Sequence, residues 1–228
     1  MIFNQFFDDV SCTYTYLLSS GKGREALIID PVLEKTNEYI FFLKKLDLKL
    51  VKVIDTHIHA DHISGMKELH KQTNCANIMG EKSPSEVINI KIKDNEKIKI
   101  ENIELTSMYT PGHTNCSYSF LMKDRIFTGD TLLINGTGRT DFQNGNPVDQ
   151  YHSLFDQILM LPEKTFVYPA HDYKGKKVST IGTQKQTNPR LQVKSLNEYV
   201  ELMNSLNLPN PKMMDIAVPA NIQGKTLG

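Results

Sequence analysis

Imidazole and carboxylate side chains gather at four places in this sequence. His57, His59, Asp61 and His62 lie within Thr-His-Ile-His-Ala-Asp-His (56–62), and His113, Asp130 and the pair His171-Asp172 follow further along. Five of the seven histidines belong to this set. Each cluster comes directly after a strand-like apolar run, and chain leaving a strand end is where binding and catalytic groups are commonly built. Imidazole nitrogen and carboxylate oxygen suit zinc or iron, and the clustered residues include no thiolate, which argues against a closed structural zinc site. Histidines that merely satisfy loop hydrogen bonds would explain one such cluster; four in a compatible order point to a metal.

The elements that position these groups follow from apolar spacing. Cys12, Tyr14 and Tyr16 share one face, Gly21 and Gly23 mark a turn, and a buried run over 26–29 ends at Asp30-Pro31, which predicts an antiparallel meander. Tyr39, Ile40, Phe42, Leu43 and Leu46 recur at helical spacing and predict one helix facing the sheet. A strand over 50–54 leads into the His57 segment, and 64–72 forms the next helix. Ile88, Ile90, Ile92, Ile98, Ile100, Ile103 and Leu105 predict a strand-rich middle section. Strands over 118–122 and 125–128 follow the His113 loop and end at Gly129-Asp130. The polar stretch 136–147 reads as a long functional loop. A helix is expected over 148–161, a strand over 166–168, and a helix over about 195–206 before a proline-containing tail. Strands and helices interleave without a regular βαβ cadence, which favours a mixed sheet sandwich with helices outside.

Composition narrows the function classes. The 228 residues carry 26 basic and 26 acidic side chains, so the formal charge is zero, and nucleic acid is not expected as a partner. A chain of this size with 39% hydrophobic residues is expected to form one globular domain over 1–228. No apolar run approaches the roughly 18 residues that span a bilayer, and the first residues lack the pattern of a secretory signal. No membrane association and a cytoplasmic location are expected, with the mitochondrial matrix open should a transit segment have been removed. Cys12, Cys75 and Cys116 are spaced like packing residues rather than a disulfide framework. Only four arginines stand against 22 lysines, and two of the four, Arg139 and Arg190, lie in polar, turn-rich segments.

Four segments, Thr-His-Ile-His-Ala-Asp-His (56–62), Pro-Gly-His-Thr (111–114), Thr-Gly-Asp (128–130) and Pro-Ala-His-Asp-Tyr (169–173), resemble the metal motifs of the metallo-β-lactamase superfamily. The resemblance implies an α/β fold, the αββα sandwich, with two mixed sheets, helices on the outer faces and the metal at the sheet edges. Within that superfamily the chain is similar to the glutathione-dependent branch, which holds glyoxalase II and the persulfide dioxygenases. Val-Ser-Cys-Thr-Tyr-Thr-Tyr-Leu-Leu (10–18), Ile-Asp-Pro-Val (29–32), Gly-Arg-Thr-Asp-Phe-Gln (138–143), Thr-Asn-Pro-Arg-Leu (187–191) and Ala-Val-Pro-Ala-Asn (217–221) resemble the second of these. Only 55 residues follow Tyr173, fewer than the helical C-terminal domain of glyoxalase II would need.

The two chemistries use the same residues differently. A thioester hydrolase of glyoxalase II type needs two metals: His57, His59 and His113 on one, Asp61, His62 and His171 on the other, with Asp130 bridging. A dioxygenase needs open positions on a redox metal, which two histidines and one carboxylate leave. The persulfide dioxygenase resemblance implies one Fe(II) per chain on His57, His113 and Asp130. His59, Asp61, His62, His171 and Asp172 would then orient those ligands by hydrogen bonds. It further implies glutathione persulfide and dioxygen as substrates, sulfite and glutathione as products, and Arg139, Tyr173 and Lys212 as contacts for glutathione. Arg139 has a second reading as an ion pair with Asp141, and Arg190 reads as structural. A homodimer and a functional link to a separate rhodanese are left open.

Overall fold

Tyr14, Tyr16 and Leu18 point to one side of β2 (Thr13–Ser19) and Leu17 to the other, and both sides are buried. A strand buried on both faces needs a sheet that is covered twice. In the computed structural model, which describes residues 1–224, β2 is the second strand of a six-stranded sheet. The order is β1 (Ile2–Asp8), β2, β3 (Glu25–Ile29), β4 (Lys49–Ile54), β5 (Ala76–Gly80) and β6 (Ile90–Ile92). The first two pairings are the antiparallel meander and the remaining three are parallel.

The second sheet runs β12 (Ser179–Thr180), β11 (Phe166–Pro169), β10 (Arg125–Gly129), β9 (Tyr118–Leu121), β8 (Ile103–Tyr109) and β7 (Lys97–Ile100). Its strands are antiparallel except for the β10–β11 pair. Tyr16, Leu27, Ile29 and Ile54 of the first sheet meet Ile98, Leu105, Phe120 and Phe127 of the second in the central layer.

Helices close both outer faces. Tyr39 and Leu43 of α1 (Thr36–Lys45) and Met66 and Leu69 of α2 (Met66–Thr73) cover Leu17, Ile28 and Val53. On the far side, the segment following α3 (Pro147–His152), together with α4 (Ile181–Thr187) and α5 (Leu196–Asn204), covers Ile126 and Val167. This is the expected αββα sandwich, and no helix of the described residues is long and apolar enough to cross a membrane.

Four local expectations need correction. The 148–161 segment is not one helix: after α3 it widens into a π turn over Ser153–Gln157 and tightens into a 3₁₀ turn over Ile158–Met160. The proline-containing tail expected after residue 206 is partly helical, because it contains α6 (Met214–Gln223) with Pro219 inside it. Strand β5, helix α4 and the short β12 went unread, since their few apolar residues carry too little periodicity to show. Cys75 and Cys116 are buried as packing residues should be, but Cys12 is only half-buried and has φ of 60° beside the metal motifs.

The two sheets approach so closely at Gly80 that a Cβ there would overlap the ring of Tyr118. Gly80→Ala is therefore expected to cost on the order of 1 to 3 kcal/mol of stability by overpacking. Gly21→Ala, whose Cβ would make only an ordinary 3.8 Å contact with the Arg24 side chain, should leave the denaturation midpoint unchanged. Urea titrations of the two variants check both statements.

Candidate metal centre

The loop leaving β4 is organised by a carboxylate from the neighbouring strand end. Asp30, at φ 51° just after β3, is 1% exposed. It accepts the Thr56 backbone N–H at 2.7 Å and the Thr56 hydroxyl at 3.0 and 3.1 Å. His59 Nε2 lies 3.1 Å from the same carboxylate. With its proton committed to Asp30, Thr56 Oγ1 has a lone pair for His57 Nδ1–H at 2.9 Å, which leaves His57 Nε2 bare. Burial, joined by the charge on His59, pushes His57 well below its ordinary range, so the ring is neutral and able to ligate.

His113 is oriented from a different part of the chain. Its Nδ1–H donates to the carbonyl of Arg139 at 2.8 Å, again freeing Nε2. Gly112, with φ of 134°, presses against the backbone of Gln150 so closely that no side chain could fit, and this holds the His113 turn against α3. Asp130 arrives from the end of β10. Its Oδ1 accepts from His171 Nδ1 at 2.6 Å, while Oδ2 lies 3.6 Å from His113 Nε2. Burial alone would raise the Asp130 carboxyl, but the charge and hydrogen bond of His171 hold it well below the usual carboxylate range.

Ligand atoms of His57, His113 and Asp130 all lie within 4.8 Å of one another and are buried. A second group, His59, Asp61, His62 and His171, meets the same distance limit beside them. The groups differ in what their atoms already bind. Burial opposes charge on His171, yet Asp130 and Asp61 outweigh it and lift the ring well above its ordinary value. The imidazolium spans both carboxylates, with Nε2 at 2.8 Å from Asp61 Oδ2. Asp61 Oδ2 also lies 2.9 Å from His62 Nδ1 and accepts the Thr13 hydroxyl at 3.2 Å. His59 Nδ1 and His62 Nε2 are buried with no hydrogen-bond partner among the described residues.

Asp172 does not touch this cluster through its side chain. Its carboxylate accepts the backbone N–H groups of Lys174 and Lys176 at 2.8 and 2.7 Å and so shapes the loop that presents Tyr173. The Tyr173 ring is 70% exposed and lies parallel to His171, with centroids 6.3 Å apart. Arg139 is placed differently from a free anion receptor. Its guanidinium makes two 2.6 Å hydrogen bonds to Asp141, donates to the Pro209 carbonyl at 2.7 Å and covers the Phe142 ring. Lys212 is exposed, two residues beyond the Leu208–Asn210 stretch that Arg139 grips. Arg190 is structural: it donates to the carbonyl and hydroxyl of Thr137.

The chain is similar to known proteins along nearly its whole length. A family model for the metallo-beta-lactamase superfamily covers residues 9–86 and 81–171. The chain is 42% identical over 226 residues to the mitochondrial persulfide dioxygenase ETHE1 of Mus musculus, spanning 98% of this chain and 88% of that one. The chain belongs to the persulfide dioxygenase family. Its backbone superposes on the crystal structure of ETHE1 from Myxococcus xanthus with a TM-score of 0.94 at 44% identity, covering 97% and 98% of the two chains. A hydroxyacylglutathione hydrolase of Dictyostelium discoideum is 31% identical over 94% of this chain and 80% of its own length.

Sequence reasoning missed Asp30 and Thr56 as the base of the site, having taken Asp30 only as a strand end. Asp30→Ala removes the acceptor of three contacts and should weaken metal retention roughly ten- to hundred-fold. Metal content after dialysis against graded chelator measures this; retention equal to the parent would show that Asp30 does not hold the loop.

Proposed function

We propose that this protein is a mononuclear non-haem iron persulfide dioxygenase acting on glutathione persulfide. The overall reaction consumes the persulfide, dioxygen and water and releases glutathione, sulfite and protons. One observation carries the single-metal reading. Asp61 and His171 are committed to each other, and His171 also to Asp130, whereas His57 Nε2, His113 Nε2 and Asp130 Oδ2 converge with their other atoms already engaged. Two imidazoles and one carboxylate without a thiolate fit iron(II) as a facial set of ligands. Iron, when bound, would supply a redox-active centre through which the persulfide sulfur gives up the electrons that dioxygen takes.

The chain's own residues do the rest. Thr56 and the Arg139 carbonyl fix the tautomers of the two ligand rings. His171 occupies Asp130 Oδ1 and so leaves this carboxylate one oxygen for the metal. Its imidazolium also holds a proton between Asp130 and Asp61, next to where negative charge would gather on the products. Tyr173 and Lys212 stand exposed and suit contacts to the glutathione backbone and a carboxylate. Arg139 acts through the 208–210 stretch that it pins beside Lys212. Arg139→Ala frees that stretch and is expected to raise KM for glutathione persulfide, by at most the roughly ten- to hundred-fold that loss of the Lys212 charge-assisted contact would cost. Iron content should not change, because the His113 bond goes to the Arg139 main chain; iron loss would contradict this assignment.

A two-metal thioester hydrolase is the second reading, favoured by the unpartnered nitrogens of His59 and His62. The two readings part on the metal. Zinc has no accessible redox state but is an adequate Lewis acid. With iron(II), glutathione persulfide should drive dioxygen uptake with matching sulfite formation, and zinc substitution should abolish it. An oxygen electrode run beside a lactoylglutathione assay on one preparation decides the matter. Rapid thioester cleavage by the zinc form without persulfide-dependent uptake by the iron form would overturn the dioxygenase reading.

A further inference from the structure

Asn221, in the last turns of α6, reaches back about 160 positions along the chain to the metal loop. Its Oδ1 accepts the Ser64 backbone N–H at 2.8 Å. Its Nδ2 donates to the carbonyls of His59 and His62, both at 2.9 Å. The amide orientation follows from its surroundings, since a carbonyl can only accept and a backbone N–H can only donate. Both Nδ2 protons are used, and the residue is 7% exposed. One side chain thus closes both ends of the segment that carries His59, Asp61 and His62.

We propose that Asn221 is a positioning residue for the metal centre, and that α6 acts as a clamp on the 59–64 loop. The clamp has its own foundation. Ala217 and Ala220 pack on Ile63 of the same loop, the Asn221 carbonyl accepts the Ser85 hydroxyl at 2.8 Å, and the Ile222 carbonyl accepts Glu86 N–H at 2.7 Å. The small alanine side chains let the helix backbone come close enough for the short Asn221 side chain to reach two carbonyls. From the other side the loop is held by Asp30, through Thr56 and His59. The His57–His62 stretch is therefore gripped between a carboxylate of the first sheet and an amide of the C-terminal helix. Rings fixed in this way pay little ordering entropy when a metal arrives, which is how residues outside the ligand set govern affinity.

The inference rests on the metal-site reading but not on the dioxygenase chemistry, so its test uses cobalt(II) or iron(II) binding. Asn221→Asp keeps the shape of the side chain and replaces both donated protons with an acceptor that faces two carbonyls. It is expected to weaken cobalt(II) affinity about ten-fold or more, read by competition with a chelator, and to shift the visible ligand-field bands of the cobalt form. Ser85→Ala loosens the anchoring of α6 while sparing the Asn221 amide, and should weaken affinity measurably less than Asn221→Asp does. Hydrogen exchange on the unmutated, metal-free protein adds a measurement that no folding defect can spoil. The Ser64 amide should open together with the Gly224 amide that caps α6, rather than with the amides of β4. Parent-like affinity and spectrum in Asn221→Asp would overturn the proposal. So would equal losses in Ser85→Ala, or exchange of Ser64 independent of α6.

Discussion

The buried Asp30 carboxylate is the contact from which the metal centre is built. A carboxylate 1% exposed is costly unless its oxygens are satisfied, and here the satisfying donors all come from the loop that follows the next strand. The chain must place β3 beside β4 before those donors can arrive, so the parallel pairing of the two strands and the shape of the loop are a single requirement. The requirement propagates outward. The Thr56 hydroxyl that binds Asp30 also orients His57, and His57 sits against the ring of His113, which enters from the other sheet.

The arrangement separates two jobs that one set of histidines could have shared. Rings with one nitrogen on a hydroxyl or carbonyl turn the second nitrogen toward the shared metal position, while His171 is held between two carboxylates. This difference lies in the neighbours and not in the residue type. The chemistry of each imidazole is set by whichever element happens to end beside it.

The candidate ligands were legible in the sequence because they sit in short local motifs at strand ends, where the change from apolar to polar residues marks the loop, while the choice of three for one iron came from the resemblance. A mixed sheet sandwich with helices outside was legible from the way strands and helices interleave, and the αββα class from the resemblance of the metal motifs. What supports the ligands was not. Asp30 and Asn221 act across 26 and about 160 positions, and a contact made by one polar side chain leaves no periodicity to detect. Helix α6 was hidden by its internal Pro219, whose missing N–H is tolerated because tertiary packing on Ile63 holds the helix. The Arg139 guanidinium shows the converse: its motif is conspicuous, yet the side chain serves the C-terminal stretch and the main chain serves the metal ligand.

The distribution of these groups along the chain has a consequence for biosynthesis. A ribosome releases the polypeptide from the N-terminus at about 5 to 20 residues per second. The His57 loop emerges early, but its partner Asp130 and the Asn221 amide follow many seconds behind it. Until α6 has left the exit tunnel and docked, the nascent chain offers a passing cation only a loosely held cluster of imidazoles. On the proposed clamp, ordered binding waits for the finished fold, in which the candidate ligands are already held by their neighbours.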